Sequence, residues 1–483
     1  MGVSLNPAAI LSGQGLDVTS VVSQIIASQS GPLTVWSQQQ TTIASENGAL
    51  DGINNDLANL QTAVQALADP AGALAAQAAT SSDSSILTAT AQSTAITGTH
   101  QIVVSSVATT GTLNSQLFAG GANSSILTGG NTTGDIQLQI GTNATPFDIP
   151  ITQGSNDTLT TLANYINTQS AANNWGVTAG VVSNGSGAIL ELQSQNTGSV
   201  GALSITANTS TSLTFATPQG GANAALTVDG LPFASSSNTV TGAIPGVNLS
   251  LLSQDPDTTV QLTVAPDTSQ IGSAVNNFIT AYNSLVTDTN AEYAVDPTGV
   301  TPTPPLESDI SLRSVQSSIL NDAAYSITGN SGYVNLESLG INTANDGTLS
   351  LGLNAQGQTF DQVLAANPAA VQNFFQNSSN TGFANGFSAD LNNLTNPTTG
   401  PLYADLAQNN AENQDLTNSI TNLQTQLAAQ TTALTSEYDT VNASLQAYPL
   451  LLQQITETLG TLNSGTSSSG SLISSEPTLT SGL

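Results

Sequence analysis

An apolar repeat near the C-terminus constrains this chain more than any other feature. Between residues 416 and 462, apolar side chains recur at spacings of three and four residues, and only Gln430 and Glu437 interrupt them. This spacing predicts a helix with one seam facing another helix, because an isolated helix cannot bury such a stripe. Pro449 lies within the repeat and is expected to kink or divide the helix. The apolar positions are Leu416, Ile420, Leu423, Leu427, Leu434, Val441, Leu445, Tyr448, Leu452, Ile455, Leu459 and Leu462.

Two further helical stripes lie near the N-terminus. Asp17 is a suitable N-cap for a first helix, whose apolar residues follow at helical spacing. Gly31-Pro32 interrupts that pattern, and Asp69-Pro70 should end the second stripe. The sequence therefore predicts helices at both ends of the chain. The second stripe consists of Ile43, Leu50, Ile53, Leu57, Leu60, Val64 and Leu67.

The middle of the chain, residues 75–265, has the two-residue alternation of half-buried antiparallel strands. One amphipathic helix interrupts it, with Leu159, Leu162 and Ile166 on one face and Asp157 as its expected N-cap. Beyond this block the spacing is helical again, and Asn345-Asp346-Gly347 is typical of a tight hairpin turn. The alternating runs are 101–107, 136–140, 188–192, 224–228, 247–251 and 260–264.

Helical ends around a β middle predict an α+β multidomain protein. We expect both chain ends to form a terminal coiled-coil or helical-bundle stem, with antiparallel β-rich domains inserted between them. The predicted parts are an N-terminal helical leg (1–42), a helical stem in two parts (43–74 and 266–430, the second with the small hairpin), a β domain in two parts (75–120 and 223–265), an inserted β-rich domain with one helix (121–222), a C-terminal coiled-coil leg (431–462) and a disordered tail (463–483).

Two arrangements could cover the helical stripes. One is an ordinary bundle within a single chain, and the other is a seam that neighbouring subunits complete near the two termini. Periodicity alone does not distinguish them. In the second arrangement the contacts with other subunits or with a filament would be made by Val21, Ile25, Ile43, Leu50, Ile53, Leu57, Leu60, Leu434, Val441, Leu445, Leu452, Ile455 and Leu459.

Charge excludes several classes of function. The chain has 31 carboxylates, one basic residue (Arg313) and one histidine (His100), which gives a formal charge of −30. A single cation cannot displace counterions from nucleic acid or bind an anionic membrane. With no cysteine there are no thiolate sites. Residues 1–16 lack the pattern of a cleaved signal peptide, and no apolar run is long enough to span a membrane.

The sequence offers no catalytic or cofactor site. We expect His100 to be an ordinary strand-edge residue and Arg313 to have a structural role, as the only cation that could pair with buried carboxylates. Asp255 and Asp257 lack the ligand spacing of a calcium loop, so neither a metal nor a cofactor is predicted. Because carboxylates mostly repel one another here, we expect stability to rise as the pH falls towards about 4.5.

Several motifs together resemble one family, the flagellar hook-associated protein 2 (FliD-type) filament cap proteins. Residues 13–33 (GQGLDVTSVVSQIIASQSGPL) resemble its opening, and residues 224–252 (AALTVDGLPFASSSNTVTGAIPGVNLSLL) resemble its most recognisable β motif. Residues 311–319 and 333–351 resemble its C-terminal domain. Residues 158–182 and 187–199 are similar to a module inserted in several flagellar axial proteins. The resemblance covers nearly the whole chain, although relatives usually carry many more basic residues.

This resemblance implies a structural role rather than an enzymatic one. A family member would be exported without a cleaved signal and would form a small ring of about five subunits at the distal tip of the flagellum, outside the cell. There it would promote insertion of flagellin and prevent loss of monomers. The partners implied are further copies of the chain, flagellin, the hook-filament junction protein and a flagellar export chaperone.

Two other classes remain open from the residues alone. The acidic, Ser/Thr/Asn-rich β region would also suit an extracellular adhesin or surface-layer protein, which could contact host surface glycans. A secreted hydrolase with paired carboxylates is a third class, but aromatic residues, at 4% of the chain, give no sign of a substrate cleft.

Overall fold

The computed structural model describes residues 16–141, 145–294, 303–377, 379 and 381–465. It divides into two compact units. Unit one holds the described residues within 1–58, 287–317 and 392–483, and unit two holds those within 59–286 and 318–391. Unit one thus contains both chain ends, and unit two contains all the strands of the described residues. The predicted domain boundaries stay a prediction.

The helices and strands follow the predicted order of helical ends and a β middle. The helices are α1 (Val18–Gln29), α2 (Gly31–Ala68), α3 (Leu159–Asn173), α4 (Thr268–Glu292), α5 (Ile310–Ala323), α6 (Phe360–Ala366), α7 (Pro368–Phe375), α8 (Phe383–Leu394) and α9 (Pro401–Gly465). The strands are β1 (Gln77–Ser81), β2 (Leu87–Ala91), β3 (Gly98–Ser106), β4 (Thr110–Asn114), β5 (Thr133–Ile140), β6 (Phe147–Thr152), β7 (Val177–Asn184), β8 (Gly187–Thr197), β9 (Leu203–Thr209), β10 (Ala224–Val228), β11 (Leu231–Ser235), β12 (Thr239–Ile244), β13 (Val247–Leu251), β14 (Asp255–Pro266), β15 (Ile341–Thr343) and β16 (Leu349–Leu351).

The N-terminal helices begin and end where the sequence predicts. The Ser20 backbone N–H donates to Asp17 Oδ1 at 3.1 Å, so Asp17 is the N-cap of α1. Helix α1 ends at Gln29, and α2 begins at Gly31 with proline in its first turn, where the missing N–H costs no helical bond. Helix α2 ends at Ala68, immediately before Asp69-Pro70.

In unit one the N-terminal helices run antiparallel to α9. Asn47 Nδ2 donates to Asn410 Oδ1 at 3.3 Å, and Gln40 Nε2 donates to Thr417 Oγ1 at 2.9 Å. Further along, the Leu16 backbone N–H donates to Asn442 Oδ1 at 2.6 Å. Residue numbers fall along one side of this pairing as they rise along the other. The prediction of an α+β fold with a helical stem built from both chain ends is therefore confirmed.

Helix α9 is continuous through Pro449, so the expectation that proline divides it is wrong. Proline removes one hydrogen bond from the helix, and its ring also crowds the carbonyl of the preceding turn. In a helix of 65 residues this does not end the helix, and a kink at Pro449 stays a prediction.

Two separate cores lie in the β block of unit two. The first lies between a sheet of order β1-β14-β3-β10-β11 and a sheet of order β12-β13-β2, and it is filled by inward side chains such as Ile102, Leu226, Leu249 and Leu262. The second lies between the sheets β4-β8-β7 and β6-β5-β9 and is covered by α3. Every strand pair of the described residues is antiparallel, as the alternation predicts.

The N-cap of α3 differs from the prediction by one residue. Thr158, not Asp157, caps the helix, because its hydroxyl accepts the Thr161 N–H in a capping box. The Asp157 carboxylate accepts the Gly154 N–H at 3.0 Å and so stabilises the preceding loop. Both residue types are good caps, and the local loop geometry decides between them.

The remainder of unit two is a helical region with an aromatic core. Its buried rings belong to Phe278, Phe374, Phe375, Phe383 and Phe387, which pack edge-to-face or stacked at centroid distances of 5.1–6.1 Å. Strands β15 and β16 form the predicted hairpin.

The hairpin turn is built as the sequence indicates. Thr348 N–H donates to Asp346 Oδ1 at 3.0 Å, and Gly347 has a φ of +85° that favours glycine. Residues 295–302, and most of the predicted tail at 463–483, lie outside the described residues.

Candidate assembly surface

The apolar stripe of α9 changes from half-buried, with Leu427 buried, to exposed along the helix, and Val441 is the first exposed position at 45%. Leu427 is 7% exposed, whereas Leu452 is 53% and Leu459 is 59% exposed. Residues between these extremes, such as Leu434 and Leu445, are half-buried. We call the exposed part the distal apolar face; it consists of Tyr448, Leu451, Leu452, Ile455, Leu459 and Leu462.

The gradient follows from what lies alongside α9 in unit one. Val18, Val21 and Val22 of α1 are buried, and the pairing with α9 extends as far as the contact between Leu16 and Asn442. The distal apolar face lies beyond Asn442. Within the described ranges, the helices that accompany α9 therefore end before this face begins.

The structure places the predicted contact residues in three environments. Those of α2, together with Val21, are buried within the chain and offer no surface to a partner: Ile43, Leu50, Ile53, Leu57 and Leu60. Ile25, Leu434 and Leu445 are half-buried. Val441, Leu452, Ile455 and Leu459 are exposed. Contact of these residues with other subunits or with a filament stays a prediction, and the exposed group is the one considered for it below.

The sequence analysis missed Leu451, which lies on the same face. Its four-residue spacing to Ile455 was the available signal, but the heptad lattice assigns that position to Leu452. Leu450 is 65% exposed and points to another side of the helix by its position in the turn.

Arg313 stacks on an aromatic ring and is itself exposed. Its guanidinium carbon lies 5.3 Å from the centre of the Tyr293 ring, a cation–π geometry. The two side chains border a cavity of about 460 Å³ together with Asn290, Glu307 and Gln316. Burial raises the pKa of the Tyr293 phenol, and the hydrogen bond with Arg313 opposes this. The contact observed for Arg313 among the described residues is thus with an aromatic ring, and its structural role stays a prediction.

His100 has a specific partner that the sequence did not reveal. Its Nδ1 lies 2.8 Å from Asp229 Oδ2, and the Gln101 N–H donates to Asp229 Oδ1 at 2.9 Å. The hydrogen bonds from His100 and Gln101 lower the pKa of Asp229. Asp229 and Gly230 form the turn between β10 and β11, both with positive φ, as expected for a two-residue hairpin loop.

A carboxylate pair lies beside the aromatic core of unit two. Burial, together with the hydrogen bond and negative charge of Asp390, raises the pKa of Asp322 to about 7. Burial and the charge of Asp322 raise the pKa of the neighbouring Tyr282 phenol to about 12. Elsewhere, hydrogen bonds within turns lower the pKa of Asp83 and Asp346. The pKa shifts of these carboxyl groups thus differ in direction from site to site, with burial as the main cause of the increase and hydrogen bonds as the main cause of the decreases.

Two classes of site are not found in the parts of the chain that the structure describes. There, His, Asp and Glu side chains form no group of three or more that could hold a metal ion. None of the described helices combines the length and hydrophobicity needed to cross a lipid bilayer.

The comparisons with known proteins agree with one another. Residues 14–111 match the profile of the flagellar hook-associated protein 2 N-terminus, and residues 221–449 match the profile of its C-terminus. The B-type flagellar hook-associated protein 2 of Pseudomonas aeruginosa is 28% identical over 398 residues, which cover 76% of this chain and 80% of that protein. The flagellar hook-associated protein 2 of Escherichia coli K12 is 26% identical over 365 residues, covering 70% of this chain and 74% of that protein.

A solved structure has a similar fold. The crystal structure of the D1-D2-D3 domains of the flagellar cap protein FliD from Escherichia coli superposes with a TM-score of 0.59 at 23% identity, and the match covers 75% of this chain and 99% of that one. A helical stem of sequence-distant segments with inserted β domains defines a class of multidomain α+β proteins. Within it, the chain belongs to the flagellar hook-associated protein 2 family, the flagellar cap proteins.

Proposed function

We propose that this protein forms the cap at the distal tip of the flagellar filament, where it promotes insertion of flagellin and prevents loss of monomers. The observation that supports this most directly is the distal apolar face of α9. Six apolar side chains on one side of α9 are exposed, whereas Leu427 of the same stripe is buried. Such a continuous apolar surface is typical of a protein contact site.

The energy available at this face is sufficient for association. Complete burial of a large apolar side chain contributes about 1.5–3 kcal/mol, and the members of the distal apolar face are about half exposed. Covering the six residues would therefore contribute on the order of 5 kcal/mol before the entropy of association. This favours contacts that several subunits share over an isolated pair.

The proposed partners are helices with a matching stripe. They are further copies of this chain in a ring of about five subunits, flagellin, the hook-filament junction protein and, before export, a flagellar export chaperone. Because Arg313 is the only Lys or Arg of the chain, salt bridges cannot set the register among identical copies. Packing and neutral hydrogen bonds would do so. Export without a cleaved signal and an extracellular position at the tip belong to the same proposal.

The test replaces two residues of the distal apolar face and leaves the buried Leu427 of the same stripe unchanged. In the double variant Ile455→Asn, Leu459→Asn, we expect the ring to dissociate in negative-stain electron microscopy and cells to release unpolymerised flagellin into the medium. The matched control is Leu450→Asn, which changes an equally exposed leucine on another side of α9.

The outcomes separate the classes of function. A ring and a filament that both persist in the double variant would contradict the proposal. An adhesin or surface-layer protein without a cap role would leave flagellin release unchanged when the whole chain is deleted. Contact of the tip with host surface glycans stays a prediction.

A further inference from the structure

Strand β7 forms one edge of the three-stranded sheet β4-β8-β7 in unit two. It pairs with β8 through a hairpin in which Asn184 lies opposite Gly187, so the loop has two residues. In such a hairpin the residue pair next to the loop is hydrogen-bonded. Hydrogen-bonded and non-hydrogen-bonded pairs then alternate along the two strands. The backbone N–H and C=O groups of residues 177, 179, 181 and 183 therefore point away from β8, towards the open edge.

Side chains of α3 cover the first half of this edge. Asn167 Nδ2 donates to the Ala179 carbonyl at 2.9 Å, and Asn167 Oδ1 accepts the Ala179 N–H at 2.8 Å. Ser170 Oγ donates to the Val177 carbonyl at 2.6 Å and accepts the Val177 N–H at 3.2 Å. These two side chains replace the neighbouring strand that Val177 and Ala179 lack. These hydrogen bonds also confirm that the backbone groups of Val177 and Ala179 point away from β8.

The second half of the edge has no such cover. Among the described residues, no side chain or loop is seen to bond the outward backbone groups of Val181 and Ser183. Val182, between them, is 53% exposed on the outer face of the sheet. Unpaired edge groups next to an exposed β-branched side chain are the usual template for addition of a strand.

The local charge favours a second copy as the added strand. The chain carries a net charge of −30, so two copies repel each other over most of their surface. No residue between Asp157 and Glu191 is charged, however, and this stretch contains both α3 and β7. Two copies can meet at this edge without placing carboxylates opposite one another.

We propose that residues 180–184 of β7 pair with the same residues of a second copy, antiparallel and about a two-fold axis at Val182. Val181 of one copy would lie opposite Ser183 of the other, and both pairs would exchange two hydrogen bonds. The two Val182 side chains would form the non-hydrogen-bonded pair at the centre. Asn167 ends the pairing at Ala179, which limits the contact to this short segment and makes it reversible.

The absence of native cysteine allows a specific test by cross-linking. Residues in a non-hydrogen-bonded antiparallel pair have Cα atoms about 4.5 Å apart, which lies within the range that a disulfide spans. In the full-length variant Val182→Cys, mild oxidation should therefore give a covalent dimer on a non-reducing gel. The contact is weak, and the disulfide traps it.

The matched control is Thr178→Cys, on the same strand and the same exposed face. In the proposed register its two copies would be about 26 Å apart, at about 3.3 Å per residue. We expect at least tenfold more dimer from Val182→Cys. Equal yields from the two variants, or no dimer from Val182→Cys, would overturn the proposal.

A second substitution distinguishes strand pairing from simple proximity. Ser183→Pro removes an outward N–H but no bond to β8, and proline is tolerated on an edge in that orientation. In the Val182→Cys background it should reduce the dimer to the level of Thr178→Cys, with the circular-dichroism melting midpoint confirming that the fold persists. Undiminished dimer in a folded variant would exclude the proposed hydrogen bonds.

The contact is independent of the cap proposal. A two-fold contact joins two copies but cannot by itself close a ring of about five. Val182→Cys under reducing conditions should keep the ring, and the Ile455→Asn, Leu459→Asn variant should keep the cross-link when it carries Val182→Cys. A missing cross-link in a protein that still forms the ring would contradict the strand pairing alone. A missing ring in a protein that still gives the cross-link would contradict the cap proposal alone.

Discussion

The stripes of α2 and α9 have the same spacing and opposite environments. Leu57 and Leu60 of α2 are fully buried, whereas Leu452 and Leu459 of α9 are more than half exposed. The difference lies in what runs alongside each helix and not in the helices themselves. An apolar heptad repeat therefore indicates that a helix has a seam, but the rest of the chain determines whether that seam is covered before assembly.

The largest difference between the two stripes should appear in folding stability. Leu57→Ala removes a side chain with no exposed surface, and we expect the free energy of unfolding to fall by about 2–5 kcal/mol. Chemical denaturation of the monomer measures it. A loss below about 1 kcal/mol, the usual range for surface sites, would mean that the α2 stripe is not held as tightly as its burial indicates.

The pH should affect the stability of the aromatic core of unit two and not the distal apolar face of α9. The raised pKa of Asp322, about 7 and above that of an unfolded Asp, means that the folded chain binds a proton that the unfolded chain releases. Stability should therefore rise as the pH falls through about 7, and this gain is complete below about 4. The six members of the distal apolar face include no carboxylate, so this face offers no comparable group in this pH range.

Thermal melts at pH 8 and pH 5.5 measure this effect. We expect a higher midpoint at pH 5.5, and a much smaller pH dependence in Asp322→Asn, which cannot ionise. Asp361→Asn is the control, since that carboxyl lies in the exposed first turn of α6. A lower midpoint at pH 5.5 would show that another group dominates.

A smaller effect on stability is expected in α1, the helix that pairs with the part of α9 before the distal apolar face. Asp17→Ala removes the N-cap bond to Ser20 and should cost about 1 kcal/mol. Asp17→Asn keeps a capping oxygen and should be close to wild type. Hydrogen exchange of α1 measures the difference, and equal protection in the two variants would argue against the cap.

The smallest effect on folding is expected at the exposed stripe. Leu459→Ala should change the unfolding free energy of the monomer by no more than about 0.5 kcal/mol, yet it should weaken the ring in sedimentation experiments. If Leu459→Ala destabilised the monomer as much as Leu57→Ala, the contrast between the two stripes would disappear.

Local patterns predicted most of the fold. The six alternating runs all became strands, and the breaks at Gly31-Pro32 and Asp69-Pro70 are where the helices begin or end. Such signals depend on residues near in sequence, so a single chain is enough to see them. The N-cap of α3 was misplaced by one residue because Asp157 and Thr158 are both good caps.

The sites depended on contacts between distant segments and were less predictable. His100 and Asp229 are 129 residues apart, and the pairing of β3 with β10 brings them together. Asp322 and Asp390 belong to different helices, so no spacing in the sequence marks them as a pair. For α9, periodicity identified the stripe, but only the exposure of each side chain shows which positions are covered.

The contact between Leu16 and Asn442 joins residues 426 positions apart. A chain that emerges N-terminus first must therefore hold its first helices without their partner until almost all of it has passed. Closing so long a loop is slow, whereas the β cores need only segments within the middle of the chain. We expect the β domains to fold early and the two ends to join last, so that the helical stem is the last part of the fold to form.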